Sequence, residues 1–355
     1  MHFRIFTFAI VTATLSLGQQ AIAQTVNAKP AKTGTGTWTL PRTADGRSDL
    51  QGVWSNNIAT PLERPLELAG RPYLTEQEVA ALKKKSAELF AGGNSDAAFG
   101  DQLFATVLAN VNGTKAGFTS TDGGTGDYNS VWLSERDWDN RTSLITDPSD
   151  GRLPPRTSEA QAKQAATAAT RNRLPAGPED RSLSERCITF GAPRLGAAYQ
   201  SYFQIVQSAK AVVIEMETIH DARVIPIDGS PHLPPYIRTY LGDPRGRWEG
   251  DTLVVDTTNY RPGVFMNIST ERLHVIEKFT RTSADVLQWE ITIDDPGAWS
   301  KPWTAMIPLR HSKDILVEYA CHEGNIGLQG ILAGARAEEK AARGGEKAEA
   351  PISYR

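Results

Sequence analysis

The chain of 355 residues is short of the features that usually give a function away. It has no Gly-x-Ser-x-Gly, no His-Glu-x-x-His, no Gly-x-x-x-x-Gly-Lys loop and no Cys-x-x-Cys. Those gaps disfavour the standard serine hydrolases, zincins, nucleotide-binding enzymes and redox dithiols. Charge of one sign is not in excess either. Lys and Arg number 38 and Asp and Glu 41, for a net charge of -3. That balance gives no footprint for nucleic acid or an anionic membrane surface. No internal repeat is present, and no apolar run reaches the ~18–20 residues of a membrane span.

The apolar run that does exist is at the start, MHFRIFTFAIVTATLSLGQQAIA. Arg4 gives a positive beginning, residues 5–17 a short apolar stretch, and Ala21-Ile22-Ala23 a small-x-small cleavage signal. Residues 1–23 are therefore expected to be a signal peptide, cleaved before Gln24, with the remainder released into a bacterial periplasm. Away from cytosolic nucleotides, the expected chemistry is independent of a soluble cofactor, and neither a cofactor nor a metal is assigned. The expected partner is a hydrophobic small molecule, with a homodimer left open and no membrane contact after cleavage.

Cysteine is scarce, with Cys187 and Cys321 only. In an oxidising compartment an even pair is a disulfide candidate. Glycine and proline are plentiful at 30 and 21, which favours many turns and a β-rich architecture. Residues 24–37 read as a disordered leader. Residues 38–186 read as a helical and irregular portion packed on the core. Thr75-Glu76-Gln77-Glu78 is a capping box that opens a helix reaching about residue 90, and further helices are expected over 101–109 and 158–171.

From Cys187 the pattern changes. Short alternating runs at 202–207, 211–218, 223–227, 252–257, 273–281, 286–293, 304–309 and 315–319 are separated by turns such as Asp228-Gly229 and Glu249-Gly250-Asp251. This spacing predicts an antiparallel meander, barrel or sandwich over 187–332. A charged, Ala-rich helix and tail follow over 333–355.

Candidate site residues come from four clusters. His220 follows an apolar run and precedes Asp221 and Arg223, which suits a general base beside a charge stabiliser. The proline loop His232-Leu233-Pro234-Pro235-Tyr236-Ile237-Arg238 offers Tyr236 as an acid and His232 and Arg238 as substrate contacts. Trp248 reads as a lid on the sheet, and Asp256 and Asn259 lie at a strand end. In Leu273–Phe279, period two places His274 with Ile276 and Lys278 and turns Glu277 to the apolar side. A carboxylate there is paired, with Arg281 in reach, or has a raised pKa. The last cluster, Cys321-His322-Glu323, would be fixed by a disulfide and adds His322 as a substrate contact.

Two resemblances emerge from these motifs. Gly52-Val53-Trp54 resembles the Gly-x-Trp that opens the first strand of lipocalin-like barrels, which implies a calycin-like core. More specifically, three segments together resemble a large, mostly uncharacterised family of exported bacterial proteins. They are Asp45-Gly46-Arg47-Ser48-Asp49-Leu50-Gln51-Gly52-Val53-Trp54, the run from Gly246 to Asn259 and that from Glu318 to Asn325; Asn140 to Ile145 also fits. That family carries little functional knowledge. It is associated with bacteria that catabolise lignin-derived and other ring compounds, where cofactor-free lyases occur. With an apolar barrel cavity, the expected activity is a cofactor-independent lyase on an aromatic, lignin-derived or polycyclic compound, with loss of water or formaldehyde. The roles expected are His220 as base, Tyr236 or Glu277 as acid, and Arg223 or Arg238 as charge stabiliser. The alternatives are a non-catalytic periplasmic binding protein and a glycan-acting enzyme whose carboxylates are Glu277 with Asp256 or Glu323.

Overall fold

Alternation of side chains along the strands decides the architecture. In the computed structural model, which describes residues 38–90, 101–114, 116, 136–197 and 201–344, the ninth strand buries Leu287, Trp289, Ile291 and Ile293 and leaves the residues between them half-buried or exposed. The tenth buries Trp303, Ala305, Ile307 and Leu309 in the same way. Each strand thus gives one apolar face to a shared core. The signal peptide and leader expected over 1–37 lie outside the described residues.

Ten strands form one antiparallel sheet. They are β1 (Gly52–Ser55), β2 (Ile145–Asp147), β3 (Tyr202–Gln207), β4 (Ala211–Met216), β5 (Ala222–Pro226), β6 (Asp243–Glu249), β7 (Thr252–Thr258), β8 (His274–Arg281), β9 (Val286–Asp294) and β10 (Trp303–Ser312). The order is β5-β4-β3-β1-β10-β9-β8-β7-β6, with β2 also on β10. The mainly β, antiparallel fold expected from the spacing is present. The hydrogen-bonded path does not close into a barrel, because β5 and β6 do not pair. Their side chains nevertheless meet. A Cβ on Gly246 of β6 would lie 2.6 Å from a methyl of Ile227 and 2.8 Å from one of Ile225. Glycine at that position lets the two edges approach.

Several elements differ from the sequence expectation. β1 enters the sheet between β3 and β10, so the sheet draws on residues well before Cys187. Trp54 explains this: it is fully buried and its indole N–H donates to the Leu50 carbonyl at 2.8 Å. The stretch 243–249 reads as turns because of Pro244 and Gly246, yet it forms β6. An edge strand tolerates a proline that has no N–H to give. The strand expected at 315–319 is not formed.

The helices follow their local signals. α1 (Glu76–Phe90) starts at the expected capping box, with the Glu78 N–H donating to Thr75 Oγ1 at 3.2 Å and the Thr75 N–H to Glu78 Oε2 at 2.8 Å. The Thr75 N–H and Arg71 hold the Glu78 carboxyl down at about 2. α2 (Asp101–Val111) buries Leu103, Phe104 and Val107 in a small second core with Leu68, Leu74 and Leu82. α3 (Ser158–Arg171) is capped by Thr157, whose hydroxyl accepts from the Ala160 N–H at 3.1 Å. α4 (Ile326–Gly344) begins ahead of the expected 333 because Asn325 caps it, accepting from the Leu328 N–H at 3.2 Å. No helix among the described residues is long and apolar enough to cross a membrane. Cys187 and Cys321 are bonded, with Cα atoms 5.7 Å apart.

Candidate functional site

The inner face of the sheet contains an ion pair and, among the described residues, a small void beside it. Arg223 on β5 and Glu277 on β8 are 3% and 0% exposed and meet through two guanidinium–carboxylate contacts, one at 2.9 Å. The Trp289 indole N–H donates to the same Glu277 oxygen at 3.1 Å. Burial acts to lower the Arg223 pKa, but the charge and hydrogen bonds of Glu277 outweigh it and raise it above the ordinary range. Burial likewise raises the phenol of the fully buried Tyr260. The remaining void, bounded by Phe203, Ile214, Met216, Phe279 and Trp289 as well as Arg223, is about 10 Å³. That is about one water molecule.

This arrangement corrects the sequence reading at several points. Glu277 turns to the apolar side as expected, but its partner is Arg223 rather than Arg281. The two expected catalytic groups pair with each other beside a void of about 10 Å³. The register pairs Val255 with Glu277 and Asp256 with Ile276, so Glu277 and Asp256 project to opposite faces of the sheet. They cannot flank one glycosidic bond from a common side.

The outer face of β6, β7 and β8 carries a different constellation. Arg245 on β6 stands opposite Asp256 on β7, while His274 on β8 begins two residues before Ile276, the partner of Asp256. Period two therefore groups Asp256 and His274 as diagonal neighbours on one face. The proline loop lies over them. His232 is held from both sides, its Nδ1 3.1 Å from Asp243 Oδ2 and its Nε2 3.2 Å from Asp256 Oδ1. Asp243 is buried and fixed in turn, accepting from the Leu233 N–H at 2.7 Å and pairing with Arg245 at 2.7 Å. His274 Nε2 meets the same Asp256 oxygen at 2.8 Å. This hydrogen bond raises the His274 pKa above its ordinary 6.5, against a smaller effect of burial, and it lowers that of Asp256.

The two carboxylates make specific demands on His232. An imidazolium donates from both nitrogens, whereas a neutral ring donates from one only. Both ring nitrogens of His232 have a carboxylate oxygen within hydrogen-bond reach. Beside it opens a cleft of about 250 Å³, walled by Pro226, Pro231 and Gly246, with His232, Arg247 and Asp256 among its lining. A cavity of ~150 Å³ is enough for benzene, so this one accepts a single substituted ring.

The other expected residues are dispersed. His220 is exposed, with φ +56, in a 3-10 turn (Thr218–His220) between β4 and β5, and no described residue bonds its ring. Its neighbours are more constrained. Burial raises the carboxyl pKa of both Glu217 and Asp221, and Asp221 accepts from the Thr189 hydroxyl at 2.6 Å. Asn259 is buried and donates to the Leu233 carbonyl at 2.9 Å, so it holds the proline loop rather than facing the cleft. Trp248 is half-buried against the main core. Tyr236 and Arg238 line a separate cleft beyond the loop. His322 is exposed next to the disulfide.

Sequence reasoning picked out His232 but left Asp243 and His274 outside the expected site. Asp243 was hidden because its strand reads as turns. His274 was visible as an outward residue, and the available signal was its shared parity with Asp256 once the two strands are paired. Among the described residues, no group of three or more His, Cys, Asp or Glu has the arrangement to hold a metal ion. In comparisons with protein families, with curated proteins and with solved structures, nothing matches this chain.

Proposed function

We propose that this protein is an exported, cofactor-independent lyase that works by acid/base chemistry on a ring-bearing small molecule in the cleft beside His232. The observation that carries this reading is His232 itself, clamped between two carboxylates at the edge of a ring-sized cleft. A positioned imidazole is the commonest general base, and such a group contributes roughly 10²–10⁴ in rate. As substrate enters, one His232 nitrogen exchanges its carboxylate contact for the substrate, and the ring in its neutral form takes a proton from a substrate carbon. The electron pair forms the new double bond, the adjacent carbon–oxygen bond breaks, and the hydroxide leaves with that proton as water. The imidazolium formed between the two steps is stabilised by Asp243 and Asp256 together. Arg245 holds Asp243, and His274 holds Asp256, so neither carboxylate must reorganise as charge develops. The proline and glycine walls favour a hydrophobic substrate, and residues 1–23 are read as its export signal.

The experiment is an assay of purified protein on a panel of hydroxylated aromatic compounds, reading loss of water or formaldehyde by mass spectrometry. The active compound is then followed in deuterated water for exchange at the abstracted position. His232→Ala is expected to lower turnover by at least about 100-fold. Asp243→Asn should also lower it, while His220→Ala leaves turnover per folded molecule unchanged. Loss of activity in His220→Ala with retention in His232→Ala overturns the assignment. Binding of ring compounds without turnover of any of them favours a binding protein instead.

A further inference from the structure

The proline loop separates the His232 cleft from a second, larger one that the proposed chemistry does not use. This cleft measures about 600 Å³, within the range of small-molecule sites. Arg181, Arg186, Arg238 and Arg261 line it, with Glu179 as the sole acidic lining residue. A contiguous hollow of about 230 Å³ shares Ser182, Leu183, Gly263 and Asn267 with it and adds Arg171. Five arginines around one surface depression stand out in a chain whose net charge is -3.

Three of these arginines have carboxylate neighbours. Arg181 pairs with Glu185, Arg186 lies 3.9 Å from Glu179, and Arg238 lies 3.6 Å from Glu271. Arg171 and Arg261 have none within 4 Å among the described residues. Arg261 instead lies over the ring of Tyr240, at 4.9 Å from its centroid. That contact leaves the guanidinium edge open to accept a planar oxyanion, to which it can offer two parallel N–H donors. Tyr236, 81% exposed, stands on the same rim, so the wall carries an open aromatic face beside the cations. Asn267 lines both hollows and Met266 the smaller one. Met266 has φ +50 and Asn267 φ +59, two consecutive non-glycine residues in the left-handed region. For Met266 in particular such a conformation is uncommon, and such residues cluster at ligand sites.

We propose that this cleft is a binding site for a small aromatic carboxylate, with the carboxylate on Arg261 and the ring against Tyr236. It is independent of the His232 chemistry and stands or falls by itself.

The test is isothermal titration of the full folded protein with benzoate and, separately, with inorganic phosphate. Benzoate should bind, more weakly as salt is raised, and more tightly than phosphate. Arg261→Ala should weaken benzoate binding by about tenfold or more, the usual scale for losing a charged hydrogen-bonding partner. Arg261→Lys keeps the charge without the planar fork and should recover only part of the loss. His232→Ala should leave benzoate affinity unchanged. Equal affinity for phosphate and benzoate overturns the ring recognition. Unchanged benzoate binding in Arg261→Ala, or no binding to the wild type, overturns the site. Benzoate binding lost in His232→Ala but kept in Arg261→Ala places the ring in the other cleft and rejects this proposal while sparing the lyase reading. Far-UV circular dichroism of each variant separates a lost site from a lost fold.

Discussion

Removing Glu277 and removing Arg223 should have unequal consequences, and the difference follows from their chemistry. Both side chains are buried, and breaking such a pair from one side costs about 3–5 kcal/mol. Glu277→Leu leaves a guanidinium that stays protonated at any accessible pH. Its Nε already has no partner, and the Trp289 indole N–H loses its acceptor as well. Arg223→Met leaves a carboxylate instead, and a carboxylate has an escape. Left without its partner in a buried site, a carboxylate can become neutral by taking up a proton, whereas a guanidinium stays charged. The Arg223→Met variant should therefore lose less stability at acidic than at neutral pH. Thermal unfolding at neutral pH should show both single variants about 6–20 °C below the wild type, taking ~2–4 °C per kcal/mol. At mildly acidic pH the gap between Arg223→Met and wild type should narrow, while that of Glu277→Leu should not. The double variant should approach wild type, because replacing both members by apolar groups removes the uncompensated charge. A double variant as unstable as either single one, or an Arg223→Met gap that ignores pH, refutes the view that this pair is internally compensated.

Three further outcomes follow from the same structure. Native, unreduced protein should present no reactive thiol to an alkylating reagent, and reduction should lower its melting temperature, since a bond spanning 134 residues contributes about 5 kcal/mol on the chain-entropy model. The Asp256–His274 pair should contribute most stability between about pH 4 and 6.5. Its lowered Asp256 pKa makes that contribution fade as pH falls, and its raised His274 pKa makes it fade as pH rises through the folded value. The melting-temperature difference between wild type and His274→Gln should therefore peak in that window, and a flat difference counts against it. Gly246→Ala should destabilise by about 1–3 kcal/mol in denaturant titration, because its Cβ would strike Ile225 and Ile227, whereas Gly330→Ala on α4, with open space around it, should be neutral or stabilising.

Much of the sheet was legible because its signal is local. Val286-Leu287-Gln288-Trp289-Glu290-Ile291-Thr292-Ile293 alternates without a break, and β9 forms there. Thr75 and Glu78 announce α1 by chemistry alone. What failed was non-local. β6 contains Pro244 and Gly246, so its propensity argues against a strand, and only its place at the end of the hydrogen-bonded path makes both residues acceptable. Residues 315–319 have strand composition but no partner strand, and propensity without a partner makes no sheet. The candidate site was half-legible for the same reason. The charged character of Glu277 on an apolar face was readable from parity, but the identity of its partner depends on β5 curling across to β8, some 54 residues away in sequence.

The placement of the ion pair also decides where chemistry can occur. A barrel-like sheet is expected to offer its interior to a ligand, and Glu277 and Arg223 are the polar groups such an interior would use. Among the described residues, Trp289, Phe279, Phe203 and Met216 fill the space around the pair, and the void beside it has room for about one water. Polar groups without space can only stabilise one another. The same strands that bury Glu277 must, by the two-residue period, present Asp256 and His274 on the opposite face, where the proline loop brings His232 to meet them. A single strand register thus assigns structure to one face and titratable chemistry to the other. A slip of one residue between β7 and β8 would exchange the two roles and destroy both, and the fully apolar packing of Val255, Val275 and Phe279 is what prevents it.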